Sequence, residues 1–144
     1  NPSMHWFEHD ALPLTEIEVQ HGLQVLGWSR ADLLEIATSF SAAELDLVPG
    51  SDGLSIRRVL EGIAEKEMHF LECLGVELAD SDSDIFEKLF QTRQTLRDAL
   101  INQGDNAEIR EVDGERWSAR KVLRLALKCE REAIERVLEL MMQF

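Results

Sequence analysis

The first residues of the chain hold the pattern most suggestive of metal chemistry, His5-Trp6-Phe7-Glu8-His9. The string formally matches H-x-x-E-H, a zinc-peptidase pattern. That chemistry requires both His on one face of a helix and a further ligand downstream. This segment has no helical period and no matching helix follows it, so we expect no catalytic site here.

Cys73 and Cys129 are the two cysteines, and both lie in helical patterns without CxxC spacing. This usage favours a reduced, cytoplasmic chain. A nucleophilic Cys129 would require a neighbouring base or a positive field. The sequence places no His beside it, so we expect a buried, inert thiol. We assign no catalytic residue.

The composition is that of a single acidic globular domain. The chain has 144 residues and a formal net charge of −13, with 28 acidic and 15 basic residues. Phosphate binding requires clustered Lys and Arg, so neither nucleic acid nor an anionic membrane surface is an expected partner. No apolar run approaches the roughly 20 residues that span a bilayer.

The apolar periodicity predicts four long helices, and these helices would position the side chains of any site. They begin at Thr15, at about Ser55, near Ser83 and at Trp117, and the last extends to Met142. Thr15 and Glu18 fit a capping box, and Ser41 to Leu45 predicts one further short turn. No segment is a confident strand, and 109–112 is ambiguous. We predict an all-α domain over residues 14–144, preceded by an arm or linker over residues 1–13.

Two of these helices begin alike. Residues 54–60 repeat residues 117–123, each with an apolar residue, a Ser cap, two basic residues and a Val-Leu pair. Such paired starts favour two helices that present related faces to one interior. We assign Trp28 and Trp117 to the core or to helix caps, and Arg93 and Arg97 to surface ion pairs.

Three strings carry a family resemblance: SRADLLEIATSFSAAELD (29–46), LSIRRVLEGIAEKE (54–67) and WSARKVLRLALKCERE (117–132). With them, the chain from about Pro13 to Leu140 resembles the DinB/YfiT-like helical bundles. The resemblance implies a four-helix bundle in up-down-down-up order that is often a homodimer. It also implies a divalent metal held by three His, one on the second long helix and two spaced i, i+4 on the last. Some relatives use that metal for hydrolysis or thiol transfer.

Carried over position by position, the three ligands would fall on Gly62, Cys129 and Ala133. Gly and Ala have no ligand atom, so only Cys129 could bind a metal, as its thiolate. A site reduced from three donors to one should lose most of its affinity. We therefore expect that this chain has lost the metal site that the resemblance implies.

A relocated ligand set is the alternative. It would use His69, Cys129 and one of Glu65 or Glu132. His69 lies two helical turns from Gly62, about 10 Å along the axis by helical rise, which favours an ordinary half-buried histidine.

Lys66 suggests another occupant for the space in which the resemblance places the metal. Its ammonium could pair there with Glu130 or Glu132 and replace the metal charge. A buried lysine is costly unless paired, so we favour a Lys66 side chain that extends to solvent.

The preferred hypothesis is a DinB-like bundle that acts as a non-enzymatic binding or interaction module, without cofactor. The runner-up is a hydrolase or thiol-transferase that uses a metal such as zinc or nickel through the relocated ligands. A third hypothesis is a small-ligand pocket around Gly62, where the missing side chain leaves room.

Overall fold

The computed structural model describes residues 6–103, 105–106 and 108–144, and the chain is mostly helical. In chain order, a 3-10 turn (Glu8–Ala11) precedes α1 (Glu16–Ala37), α2 (Ala42–Leu45), α3 (Ile56–Cys73), α4 (Ile85–Gln103), β1 (Arg110–Val112), β2 (Glu115–Trp117) and α5 (Ala119–Met141). Among the described residues, none of the helices has the length and apolar character to cross a membrane.

The predicted starts of α1, α2, α3 and α5 are confirmed by their hydrogen bonds. At α1 the Glu18 backbone N–H donates to Thr15 Oγ1 at 3.1 Å, and the Thr15 N–H donates to Glu18 Oε1 at 3.0 Å. This is a complete capping box. Ser55 and Ser118 each accept from the backbone N–H three residues further on, at 3.1 Å in both cases. The short α2 begins at a second capping box, on Ser41.

The connection before α5 is a β-hairpin, and the ambiguous residues 109–112 of the sequence include its first strand. β1 and β2 pair antiparallel, with Arg110 opposite Trp117. Asp113 and Gly114 form the turn with φ values of 53° and 81°. Positive φ at both positions is typical of a two-residue hairpin, and Asp-Gly is a preferred pair for it.

The apolar core consists of two clusters, and each long helix contributes to both. Cluster A includes Leu26, Phe70, Leu96 and Val122, and cluster B includes Leu33, Leu60, Leu89 and Val137. Along α1 and α5 the chain passes from cluster A to cluster B. Along α3 and α4 it passes from cluster B to cluster A.

The helices are not packed equally closely. α3 lies close against α4 and α5, and α1 lies close against α5, while α1 and α4 approach each other at fewer points. Trp28 on α1 is 60% exposed, so its assignment to the core is wrong, and Phe90 on α4 is 69% exposed. Both flank the gap between α1 and α4, where neither helix covers the other. Trp117 is fully buried, as predicted.

The described part of the predicted arm, from residue 6 onward, lies against the start of α5. Asp10 is buried, and its Oδ2 accepts from Arg124 Nη2 at 2.9 Å. Arg120 donates to the carbonyl oxygens of Leu12 and Pro13, at 3.1 Å and 2.8 Å. His5, the first residue of the H-x-x-E-H match, lies outside the described residues.

Candidate functional site

Four charged side chains, one from each long helix, meet between the two apolar clusters. Arg30 donates from Nε to Glu130 Oε2 at 2.8 Å and from Nη2 to Glu67 Oε1 at 3.1 Å. Arg93 donates from Nε to Glu67 Oε2 at 2.7 Å and from Nη2 to Glu130 Oε1 at 2.9 Å. Each carboxylate therefore bridges both guanidinium groups. We call these four residues the ion network.

Neighbouring groups complete the hydrogen bonding of the network. Arg30 Nη1 donates to the Leu89 carbonyl at 3.1 Å, and Arg93 Nη1 donates to the Leu26 carbonyl at 3.0 Å. Thr92 Oγ1 donates to Glu67 Oε1 at 2.8 Å. In the described part of the chain, no buried side-chain nitrogen or oxygen lacks a partner. Such saturation is what allows charged groups to be buried in a core.

The network carries two positive and two negative charges, so it adds no net charge to the interior. Burial acts to lower the pKa of Arg30, but its hydrogen bond to Glu130 and the charge of Glu67 outweigh that effect and raise the pKa. Arg30 therefore stays protonated, and the network is a fixed set of ion pairs.

Sequence reasoning missed this network. Arg93 was assigned to the surface, yet its side chain is only 14% exposed and bonds to both carboxylates. A signal was present, because Arg30 lies between Leu26 and Leu33, and Glu130 lies between Ala126 and Ala133, on the apolar stripes of their helices. A charged residue at a core position requires a buried partner of opposite sign.

The positions implied by the family resemblance lie on α3 and α5. Gly62 is half-buried, and a Cβ built on it would meet no other atom within 4 Å. Ala133 is buried in cluster B. Cys129 is half-buried, and burial raises the pKa of its thiol above the ordinary value. In the described part of the chain, no three or more His, Cys, Asp or Glu side chains converge so that they could hold a metal ion.

Lys66 is exposed. Burial is the main cause of the raised pKa of Cys129, and the charge of Lys66 acts in the opposite direction. Of the two acids considered as its partners, Glu130 belongs to the ion network and Glu132 pairs with Lys128 at 3.7 Å.

The residues of the relocated ligand set have separate partners. His69 is half-buried, with Nε2 3.6 Å from Cys73 Sγ and its ring edge-on to Trp117 at 5.5 Å between centroids. Glu65 and Glu132 each pair with a basic residue of their own helix. The structure therefore does not gather His69, Glu65 and Glu132 around Cys129.

Beside the ion network, the gap between α1 and α4 forms a cleft of about 300 Å³, which we call the inner cleft. Its apolar lining includes Leu23 and Leu34 from α1 and Phe86 and Phe90 from α4. It continues into a wider surface groove of about 1180 Å³, the outer groove, which is lined in part by Trp28. These openings lie on the α1–α4 side of the molecule and do not include Gly62.

Comparison with protein-family models, with curated proteins and with solved structures gives no match for this chain. The resemblance to DinB/YfiT-like bundles therefore rests on the three sequence strings alone. Any function has to be argued from the ion network, from the donor atoms of α3 and α5, and from the inner cleft.

Proposed function

We propose that this chain is a DinB-like four-helix bundle that has lost the metal site and acts as a non-enzymatic binding or interaction module. Support for the up-down-down-up order comes from the two core clusters. α1 and α5 pass from cluster A to cluster B, while α3 and α4 pass from cluster B to cluster A. Helices that meet the same two clusters in opposite order are antiparallel.

The observation that carries the proposal is the donor set at the three ligand positions. The side chains at Gly62 and Ala133 have no atom that could coordinate a metal. Cys129 binds metal only as the thiolate, and the burial that raises its pKa keeps the thiol protonated. One protonated thiol does not make a catalytic metal site, which usually has three protein ligands.

The interior carboxylates do not supply the missing chemistry. Glu67 and Glu130 are buried, and each already accepts hydrogen bonds from two guanidinium groups. A carboxylate that is engaged in this way is not available to ligate a metal or to accept a proton from a substrate. The network therefore serves to hold the four helices in register.

The test is the metal content of the protein purified without a His tag, before and after dialysis against zinc or nickel. We expect well under one metal per chain in each case. One tightly held metal per chain would overturn the proposal in favour of the metal-dependent hydrolase or thiol-transferase. His69→Ala identifies that alternative, because the variant would lose a metal held by the relocated ligand set.

A further inference from the structure

The inner cleft differs from the rest of this acidic surface in its charge. The chain has 28 acidic and 15 basic residues, yet the cleft lining contains three arginines, Arg30, Arg93 and Arg97, and no acidic residue. Glu67 and Glu130 balance the charges of Arg30 and Arg93 from the side of the core. The unbalanced charge in the cleft is therefore that of Arg97, and it is positive.

Arg97 lines both the inner cleft and the outer groove. It is exposed, and within residues 6–103, 105–106 and 108–144 it has no hydrogen-bond or ion-pair partner. An arginine with all five N–H donors open at the rim of a cleft is well suited to a planar anion, since its fork matches the two oxygens of a carboxylate.

Arg93 offers further donors from the floor of the cleft. Its guanidinium has five N–H groups. Three of them are used, towards Glu67, Glu130 and the Leu26 carbonyl, which leaves two. Its side chain is 14% exposed and lines the cleft. Because the network already fixes this guanidinium, little conformational freedom is lost when it binds a ligand.

The remaining walls are apolar. Leu23 and Leu34 face Phe86 and Phe90 across the cleft. Gly27 also lines it, and a Cβ on Gly27 would meet no other atom within 4 Å, so this position leaves space. A volume of about 300 Å³ is at the lower end of the usual range for small-molecule sites.

We propose that the inner cleft binds a small amphipathic carboxylic acid, with its apolar body between α1 and α4 and its carboxylate on Arg97 and the unused N–H groups of Arg93. This assignment rests on the proposed binding function and gives its ligand class. A neutral apolar molecule would leave the charge of Arg97 unmatched, and a hydrophilic anion would leave the apolar walls unfilled.

The test is calorimetric titration of the full chain with sodium octanoate, and with 1-octanol as the ligand of the same length without the charge. We expect octanoate to bind at one site per chain, and octanol to bind about tenfold or more weakly, the usual effect of losing one hydrogen bond to a charged group. Equal affinity for the two ligands would overturn the proposal, as would the absence of octanoate binding.

Two variants and a matched control locate the site. Arg97→Gln should weaken octanoate binding about tenfold, for the same reason. Gly27→Leu should abolish it by filling the cleft, while thermal unfolding shows that the helix is intact. Arg131→Gln removes one positive charge from an exposed position of α5 and should leave the affinity unchanged. If Arg97→Gln and Arg131→Gln have equal effects, the binding is not specific to the cleft and the assignment is wrong.

The oligomeric state distinguishes binding of a small ligand in the cleft from coverage of the same surface by a second copy of the chain. If octanoate does not bind, the ligand assignment is overturned, and a dimer in light scattering then favours a second copy as the occupant of the cleft. Metal content stays an independent measurement. A metal-free protein that fails to bind octanoate contradicts the ligand class alone, whereas one metal per chain contradicts the proposed function.

Discussion

The buried carboxylate of Glu130 accepts hydrogen bonds from two guanidinium groups, those of Arg30 and Arg93. Replacing it by alanine leaves two buried positive charges with a single carboxylate between them. We expect Glu130→Ala to lower the free energy of unfolding by about 3–5 kcal/mol, measured by urea denaturation. The matched change Glu132→Ala, at an exposed position of the same helix, should stay within about 0.5 kcal/mol of wild type. Equal losses in the two variants would contradict the expectation that removal of Glu130 leaves an uncompensated buried charge.

Glu18 gives a prediction of pH dependence. Its hydrogen bonds from Arg120 and from the Thr15 backbone lower the pKa of this carboxyl from 4.5 to about 2. A folded-state pKa below the unfolded value stabilises the fold fully above pH 4.5, and this stabilisation is lost as the pH falls towards 2. The stability difference between wild type and Glu18→Gln should therefore shrink over that range.

The Arg120→Gln background is the control for this prediction, because it removes the first cause of the shift. In that background, Glu18→Gln should lower the free energy of unfolding at neutral pH by less than it does in the wild type. The difference should also depend less on pH. Urea denaturation at several pH values measures both. A difference between wild type and Glu18→Gln that is constant from pH 7 to pH 2 would contradict the assigned pairing.

At the scale of the elements, two glycines of α1 have opposite surroundings. A Cβ on Gly22 would lie 2.7 Å from Leu123 Cδ2, whereas a Cβ on Gly27 would meet nothing within 4 Å. Gly27→Ala should raise the free energy of unfolding by up to about 1 kcal/mol, because alanine loses less backbone entropy in a helix.

Gly22→Ala gains the same helix propensity but crowds Leu123, which is itself buried against α1. Overpacking of a core costs about 1–3 kcal/mol, so this variant should be less stable than Gly27→Ala by that amount. Thermal or urea unfolding of the two variants measures this difference in stability. Equal gains would mean that α1 and α5 are not in close contact at Gly22.

The helix starts could be predicted from sequence because their signals are local. Thr15, Ser41, Ser55 and Ser118 each accept from a backbone N–H three residues away, and that spacing is visible in the sequence. The hairpin was missed because its strands are only three residues long, too short to show an alternating pattern. Its Asp-Gly turn was the signal that should have outweighed the shortness of the strands.

The contacts between side chains of different helices could not be predicted in the same way. Whether Arg93 reaches water or Glu67 depends on which helices are neighbours, since these residues belong to different helices and lie 26 positions apart. Trp28 was misplaced for a different reason. It lies on the exposed face of α1, and the residues one turn away on either side, Gln24 and Asp32, are exposed as well.

At the scale of the whole molecule, a layer of four charges separates two apolar clusters that all four long helices share. Shifting one helix along its axis would separate its charged residue from the partners on the other three. Buried ionic groups are known to specify register in some helical assemblies, and here the saturated hydrogen bonding supports that use. The candidate metal positions were predictable only through the family resemblance, while the inner cleft required the structure.

The central proposal is that Gly62, Cys129 and Ala133 correspond to the metal positions of the DinB-like bundles and that this chain no longer binds a metal there. Zinc titration of the wild type and of Gly62→His/Cys129→His/Ala133→His compares the chain as it is with a chain in which the three histidine ligands are present. Gly62→His/Cys129→His, which leaves the buried Ala133 unchanged, is the variant to use if the triple variant loses helix content by circular dichroism. The account predicts about one zinc per chain in the triple variant, weaker binding in the double variant and none in the wild type. Zinc bound as tightly by the wild type as by the variants, or by none of the three folded proteins, would contradict it.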